Sequence, residues 1–210
     1  MHLDAVLILI GVTCAASMYA WSNPGLTESW IMSPYLVRKR GEWYRFITSG
    51  FLHADIAHLA FNMLAFYSLS QPARYYFADA FGPTGGLLLF LLLYLGGIVI
   101  SDVPTYFKHR DDPDYRSLGA SGGVSSVIFA SILFEPTAKL MVFPIPIQIP
   151  AFIWGVLYLG YTYYQSRRIA ADGINHDAHL YGALYGIVLT LIALPQTGLL
   201  FLQQILQFLQ

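Results

Sequence analysis

Long apolar stretches alternate with short polar ones along the whole 210-residue chain. About 20 mostly apolar residues are needed for a helix to cross a bilayer, so a repeated pattern of this length indicates membrane-spanning helices. The pattern predicts six spans: Leu3–Trp21, His53–Leu69, Gly85–Ser101, Leu118–Phe134, Ile149–Tyr164 and His176–Leu194. The sequence therefore predicts an all-α membrane protein.

The two ends of the chain complete this organisation. The first span lacks a basic leader and ends in Trp21-Ser22-Asn23-Pro24, so we interpret it as a retained helix rather than a signal peptide. Residues 198–210 are too few to cross a bilayer, and their glutamines and leucines fall on opposite helix faces, as in a helix lying at the interface. We expect a six-helix membrane domain over residues 1–197 and a short amphipathic C-terminal tail over residues 198–210.

Composition agrees with a membrane protein and excludes other classes. The chain is 56% hydrophobic and 11% charged, whereas soluble domains are about 45–50% apolar and about 25% charged. Its net charge of −1 argues against nucleic acid as a partner, because such binding needs a basic face. The lone cysteine, Cys14, can form no internal disulfide.

A serine stands where a polar loop gives way to an apolar helix, in Gly119-Ala120-Ser121-Gly122. A serine hydroxyl is a poor nucleophile unless a base lies beside it, and the reaction also needs donors for the oxyanion. Unpaired N–H groups at a helix start can supply such donors, and flanking glycines let a substrate approach. Gly and Ser are also ordinary packing residues in membrane helices, so the tetrapeptide alone leaves both roles open.

A histidine opens the sixth predicted span. An ionisable residue inside a span is by default a candidate functional residue, and Gly182 and Gly186 share a helix face with His179. Small residues on one face allow close helix packing. We expect this face to pack on the Ser121 helix and bring His179 within reach of Ser121. The alternative is an interfacial histidine in contact with lipid headgroups.

His58 and Asn62 lie four residues apart and therefore share a face of the second span. Both can donate hydrogen bonds into a cavity, and no third histidine or carboxylate is suitably placed beside them in the sequence to complete a metal site. We interpret them as oxyanion donors, with a helix–helix hydrogen bond as the alternative.

A third catalytic residue is not evident next to His179. Asp177 is two residues away and faces elsewhere on a helix. His176 could share the face of His179, but it is a poor substitute for an orienting carboxylate. The sequence therefore favours a Ser–His dyad.

These motifs occur together in the order known for one family. His58 with Asn62, the segment 119–122, and Ala178-His179 with Gly182 and Gly186 resemble the motifs of rhomboid intramembrane serine proteases of the bacterial type. The resemblance covers nearly the whole chain and implies a six-transmembrane-helix rhomboid-like bundle.

The same resemblance assigns roles to the residues. It implies that Ser121 is the nucleophile and His179 its base, and that His58, Asn62 and the Ser121 backbone N–H form the oxyanion hole. Gly119, Gly122, Gly182 and Gly186 would serve the backbone geometry and helix packing of the site. It implies no metal and no organic cofactor.

Two positions depart from the family pattern, and a third element matches it only loosely, with its aromatic changed to Tyr44 or shifted to Trp43. Many members carry an aromatic residue four positions after the nucleophile, packed on the catalytic histidine, where this chain has Ser125. Many carry a glutamate near the end of the second span, where this chain has residues Gln71–Arg74. Tyr44-Arg45 stands where the family has Trp-Arg.

The function that these expectations imply is cleavage of peptide bonds in or next to transmembrane segments of membrane proteins, by a multi-pass protein of the cell (cytoplasmic or inner) membrane. Its partners would be transmembrane substrates and the lipid bilayer, and its oligomeric state stays open. A non-catalytic rhomboid-like factor for membrane-protein binding or quality control is the main alternative, although both Ser121 and His179 are present. A small transporter and a rhomboid protease that trims sorting tails are further alternatives.

Charge and resemblance disagree about orientation. The family topology places the loops around the site outside the cytoplasm, whereas basic loops usually lie in the cytoplasm. Nine of the eleven basic residues stand in those loops, and Arg74 and Lys139 do not. The nine are Arg38, Lys39, Arg40, Arg45, Lys108, Arg110, Arg116, Arg167 and Arg168. We expect the family topology.

Overall fold

The chain is mostly helical in a computed structural model that describes residues 4–141, 147–168 and 173–210. The helices of these residues are α1 Ala5–Ser22, α2 Pro24–Trp30, α3 Pro34–Arg40, α4 Arg45–Thr48, α5 Ile56–Leu69, α6 Gln71–His109, α7 Ser121–Phe134, α8 Ala151–Ser166, α9 His176–Ala193 and α10 Gln196–Phe208. A 3₁₀ turn covers Ser49–Phe51, and strands β1 (Lys139–Met141) and β2 (Gln148–Pro150) form a small antiparallel hairpin.

Two of the described helices, α1 and α6, are long and apolar enough to cross a membrane by length and composition. Helices α9 and α10, bent by 110° at the break between them, would give a third span if they act as one. Helices α5 and α7 are apolar but shorter. The helical, membrane-embedded class predicted from the sequence is confirmed, and the six-span bundle stays a prediction.

Helix α6 is much longer than the predicted third span. It runs from Gln71 to His109 and changes direction at Gly82, whose φ of 72° and ψ of 171° are not helical. Pro83 follows that break, as expected where a helix restarts. The segment after residue 101, predicted as a polar loop, instead continues α6. Its polar residues Asp102 and Thr105 are buried on the side of the helix that faces the bundle.

The second predicted span also begins later than expected. The Asp55 side chain accepts the His58 N–H at 2.8 Å and caps α5, so the helix starts at Ile56 and His53 lies in the loop before it.

The long first loop is ordered by short helices and one buried arginine. Arg45 is 3% exposed. Its guanidinium donates to the carbonyls of Glu28 at 2.8 Å and Ile31 at 2.7 Å, and it pairs with Glu42 at 2.6 Å. Arg45 therefore ties α4 to the end of α2 and stabilises the loop against the bundle.

Helix α7 is the central element of the fold. Every residue from Gly122 to Phe134 is buried, and α7 packs between α6 and α9. Close approach to α6 depends on glycine, because a Cβ at Gly123 would lie 2.6 Å from the Tyr94 carbonyl oxygen. A helix enclosed in this way holds its first residue, Ser121, in a fixed position.

The end of the bundle that carries Ser121 is rich in paired charges. Acidic partners meet the basic residues of its loops in the pairs Arg38–Asp111, Arg45–Glu42, Lys108–Asp177 and Arg116–Glu28. At the opposite end, Arg74 pairs with Asp4 at 3.0 Å. The basic loops noted in the sequence are thus largely matched by carboxylates.

Candidate functional site

Ser121 is the first residue of α7. Gly119, two residues earlier, has a φ of 126°, a backbone conformation that favours glycine. Its N–H donates to the Ser49 carbonyl at 3.0 Å, which ties this turn to the loop before α5. The first N–H groups of a helix lack intrahelical partners, so the start of α7 offers donors beside the Ser121 hydroxyl.

Helices α7 and α9 touch through their backbones beside Ser121. A Cβ at Gly182 would lie 2.8 Å from Gly122 Cα and closer still to the Gly122 carbonyl oxygen. A Cβ at Gly186 would lie 2.7 Å from Ser126 Cα. On the other side of α7, Gly122 faces Ser101 of α6. The small face predicted on the sixth span therefore lies against the Ser121 helix.

His179 lies in the first turn of α9, one helical turn before Gly182. The Asn175 side chain accepts the Ala178 N–H at 3.1 Å and caps this helix. Ser121 and Ala178 line the same small cavity, and Ser121 and His179 are both partly buried. The two predicted dyad residues thus lie in the first turns of two helices that touch each other.

The cavity beside Ser121 has a polar lining. The side chains of Ser101, Asp102, Ser117 and Asn175 contribute to it. Asp102 is 8% exposed, and its carboxylate is 3.5 Å from Ser49 Oγ. A polar cavity of about 10 Å³ has room for about one water next to the hydroxyl.

His58 and Asn62 occupy different positions relative to Ser121. The His58 ring lies over the turn before Ser121, since a Cβ at Gly119 would be 2.9 Å from its Cε1 and 3.0 Å from its Nε2. Asn62 is 5% exposed, and its amide donates to the His58 carbonyl at 3.0 Å. Of these two residues, His58 thus has a side-chain nitrogen, Nε2, beside the turn that leads to Ser121.

His53 is a site residue that the sequence reasoning missed. Its Nε2 accepts the Ala120 N–H at 3.4 Å, and its Nδ1 is 3.0 Å from Ser17 Oγ, which in turn donates to the Phe51 carbonyl. Burial, followed by the charge of His58, lowers the pKa of His53 to about 4, so the ring is neutral and able to accept. His53 links α1 to the turn before Ser121.

Tyr158 of α8 is the second residue that the sequence reasoning missed. Its hydroxyl is 3.0 Å from His179 Nδ1 and 2.9 Å from Ser125 Oγ, and its ring is nearly parallel to the imidazole, with 10° between the planes. The sequence did show that Ser125 replaces a usual aromatic residue. Tyr158 carried no signal of its own among 15 tyrosines, which we interpreted as typical of membrane interfaces.

Metal ligation has no structural support in the described part of the chain, where no group of three or more His, Cys, Asp or Glu residues could hold an ion. His53 and His58 do stand edge to face, with ring centroids 4.9 Å apart. Their Nε2 atoms lie by the turn before Ser121, and their Nδ1 atoms are within hydrogen-bond distance of Ser17 Oγ and the Ala54 N–H, respectively.

The chain is similar to several known proteins. It is 31% identical over 196 residues to RHOMBOID-like protein 12, mitochondrial, of Arabidopsis thaliana, covering 86% of this chain and 55% of that protein. It is 26% identical over 160 residues to Rhomboid protease GluP of Bacillus subtilis (strain 168), covering 76% and 28%. It is 30% identical over 152 residues to Presenilin-associated rhomboid-like protein A, mitochondrial, of Danio rerio, covering 67% and 35%.

These matches span only part of each relative, from 28% to 55% of its length. The rhomboid domain family model matches residues 40–196. That range contains α5 to α9 and with them Ser121, His179, His58 and Tyr158. The chain therefore belongs to the rhomboid family.

Proposed function

We propose that this rhomboid-family chain is an intramembrane serine endopeptidase that uses a Ser121–His179 dyad to cleave peptide bonds in or next to transmembrane segments. The observation that carries the proposal is the backbone contact of Gly182 with Gly122. This contact holds the first turn of α9, which carries His179, beside the start of α7, where Ser121 lines a polar cavity.

The reaction follows from this arrangement. The Ser121 hydroxyl passes its proton to His179 as its oxygen bonds to the carbonyl carbon of the substrate. The oxyanion that forms accepts hydrogen bonds from the Ser121 N–H and His58. His179 then gives the proton to the leaving amine, and a water repeats the sequence on the acyl-enzyme to release the second product.

Asn62 has one of its two amide protons already engaged. Its amide donates that proton to the His58 carbonyl within α5, which leaves the second proton for the oxyanion. We propose that His58 and the Ser121 N–H are the main hydrogen-bond donors to the oxyanion and that Asn62 has a secondary role.

The expected substrates are membrane proteins whose transmembrane segment unwinds near the cut. A regular helix hides its carbonyls in hydrogen bonds, and in lipid these bonds are costly to break. Residues such as Gly and Pro weaken the helix and would expose the scissile bond to Ser121. We propose that six spans, α1, α5, α6, α7, α8 and α9, form the bundle that admits such segments from the cell membrane.

A serine-reactive fluorophosphonate tests the dyad. We expect it to label the wild-type protein in detergent or liposomes and to leave Ser121→Ala unlabelled. Ser121→Ala and His179→Ala should each abolish cleavage of a transmembrane substrate, and the double variant should be no worse, because residues that act as a unit are not additive. Cleavage that persists in Ser121→Ala contradicts the assignment. A folded wild-type protein that neither reacts nor cleaves supports the non-catalytic alternative.

A further inference from the structure

The Tyr158 hydroxyl lies 3.0 Å from Nδ1 of the His179 imidazole, within hydrogen-bond distance. It comes from α8, 21 positions before the histidine in the chain. It meets the ring at Nδ1, which is the nitrogen on the opposite side of the imidazole from Nε2. This contact fixes how His179 presents its other nitrogen.

The ring of Tyr158 is itself packed between two aromatic neighbours. Trp154 stacks on it with centroids 4.8 Å apart, and Phe129 of α7 lies at 5.6 Å. Helix α8 lies close to α7 here, since a Cβ at Gly155 would be in van der Waals contact with Phe129 at 3.4 Å. The hydroxyl therefore has little freedom to move away from His179.

The proton positions follow from the chemistry that the site must perform. To take the proton of Ser121, the neutral imidazole needs a lone pair on Nε2, so its one proton sits on Nδ1. The Tyr158 oxygen then accepts the Nδ1–H bond, and the Tyr158 hydroxyl donates to Ser125 Oγ at 2.9 Å. Ser125 is 3% exposed, so this partner is shielded from competing water.

We infer that Tyr158, supported by Ser125, is the positioning residue that sets the tautomer and orientation of His179 in this chain. The inference rests on the proposed dyad. Where the family pattern has one aromatic residue at position 125, this chain has a buried serine hydroxyl on α7 and a partly buried tyrosine ring from α8 that is nearly parallel to the imidazole.

Two variants and a matched control test this role. Tyr158→Phe keeps the stacked ring and removes only the hydroxyl, and Ser125→Ala removes the partner that accepts its proton. Tyr161→Phe is the control, because Tyr161 lies one turn along the same helix and its ring packs edge to face on His176. Removing one hydrogen bond between neutral groups lowers kcat by about tenfold.

We expect Tyr158→Phe to lower kcat about tenfold with KM unchanged, Ser125→Ala to have a smaller effect in the same direction, and Tyr161→Phe to match the wild type. Nitrogen-15 NMR of histidine-labelled protein, with the His179 signal assigned by its loss in His179→Gln, gives a readout that a structural role would not move. Nδ1 should carry the proton in the wild type, and Tyr158→Phe should shift the ring towards the Nε2–H form.

Wild-type kcat in Tyr158→Phe overturns the inference, and so does a fall in kcat without a change of the His179 signature. An equal loss in Tyr161→Phe also overturns it, because the effect would then belong to the helix. Failure of the proposed function looks different: the wild type would not react with fluorophosphonate, whereas the nitrogen signature would still report the Tyr158 contact.

Discussion

His58 faces the turn before Ser121 with its ring, whereas Asn62 gives one of its two amide protons to the backbone of its own helix. Loss of one oxyanion donor costs about 10²–10³ in kcat. We therefore expect His58→Ala to lose activity in this range with little change in KM, and Asn62→Ala to lose less. Steady-state cleavage of a transmembrane substrate measures both. If both variants keep the wild-type rate and melting temperature, neither residue is an oxyanion donor.

His53 predicts a pH effect on stability. Its pKa is lowered from 6.5 to about 4 in the folded chain. Between these values the unfolded chain binds a proton that the folded one does not, so folding stability falls as the pH drops from 6.5 towards 4. Thermal unfolding in detergent should show this loss, and His53→Gln should flatten the curve over that window. An unchanged slope in the variant contradicts the assignment.

The sequence predicts the site residues whose side-chain chemistry and local motif stand out. It misses those that reach the site only through contacts between distant parts of the chain. Ser121 between glycines and His179 at the start of a span stand out without a structure, and their joint role stays a prediction. His53 and Tyr158 do not stand out, because their partners Ala120 and His179 are 67 and 21 positions away. No local spacing encodes such contacts.

At the scale of helices, the contact of α9 with α7 leaves no room for a side chain at Gly182. We expect Gly182→Val to push the start of α9 outward, and a displacement of about 1 Å can cost about 10²-fold in rate. Gly160→Val on α8 is the matched control, because nothing lies within 4 Å of a Cβ there. Cleavage rates and melting temperatures of both variants check this. Normal activity in Gly182→Val would refute the need for close contact.

The apolar pattern located the helices better than it located their ends. The most apolar part of α6 was predicted, but its extension to His109 was not, because the later turns carry polar residues that are buried, such as Asp102. The short helices α2 and α3 also went unpredicted, although each has a proline after its capping residue, Asn23 and Ser33. Burial from tertiary packing, which a single sequence does not display, decided these ends.

At the scale of the whole molecule, orientation in the membrane is open to a direct test. We expect the end that carries Ser121 to face away from the cytoplasm. Arg110→Cys and Lys139→Cys, each in a Cys14→Ser background, place one thiol at either end of the bundle. An impermeant maleimide on intact cells should label position 110 and spare position 139. Labelling of 139 alone would invert the topology and leave the chemistry unchanged.

The carboxylate partners of Arg38, Lys108 and Arg116 have a kinetic consequence. Because these opposite charges lie so close together, they would leave little net electrostatic field at the end of the bundle that carries Ser121. Long-range attraction of a charged partner needs such a field. Encounter between this chain and the transmembrane substrates proposed for it would then be governed by diffusion within the plane of the lipid rather than by Coulombic steering. Turnover in liposomes would accordingly change little with ionic strength, whether the flank of the substrate is acidic or basic.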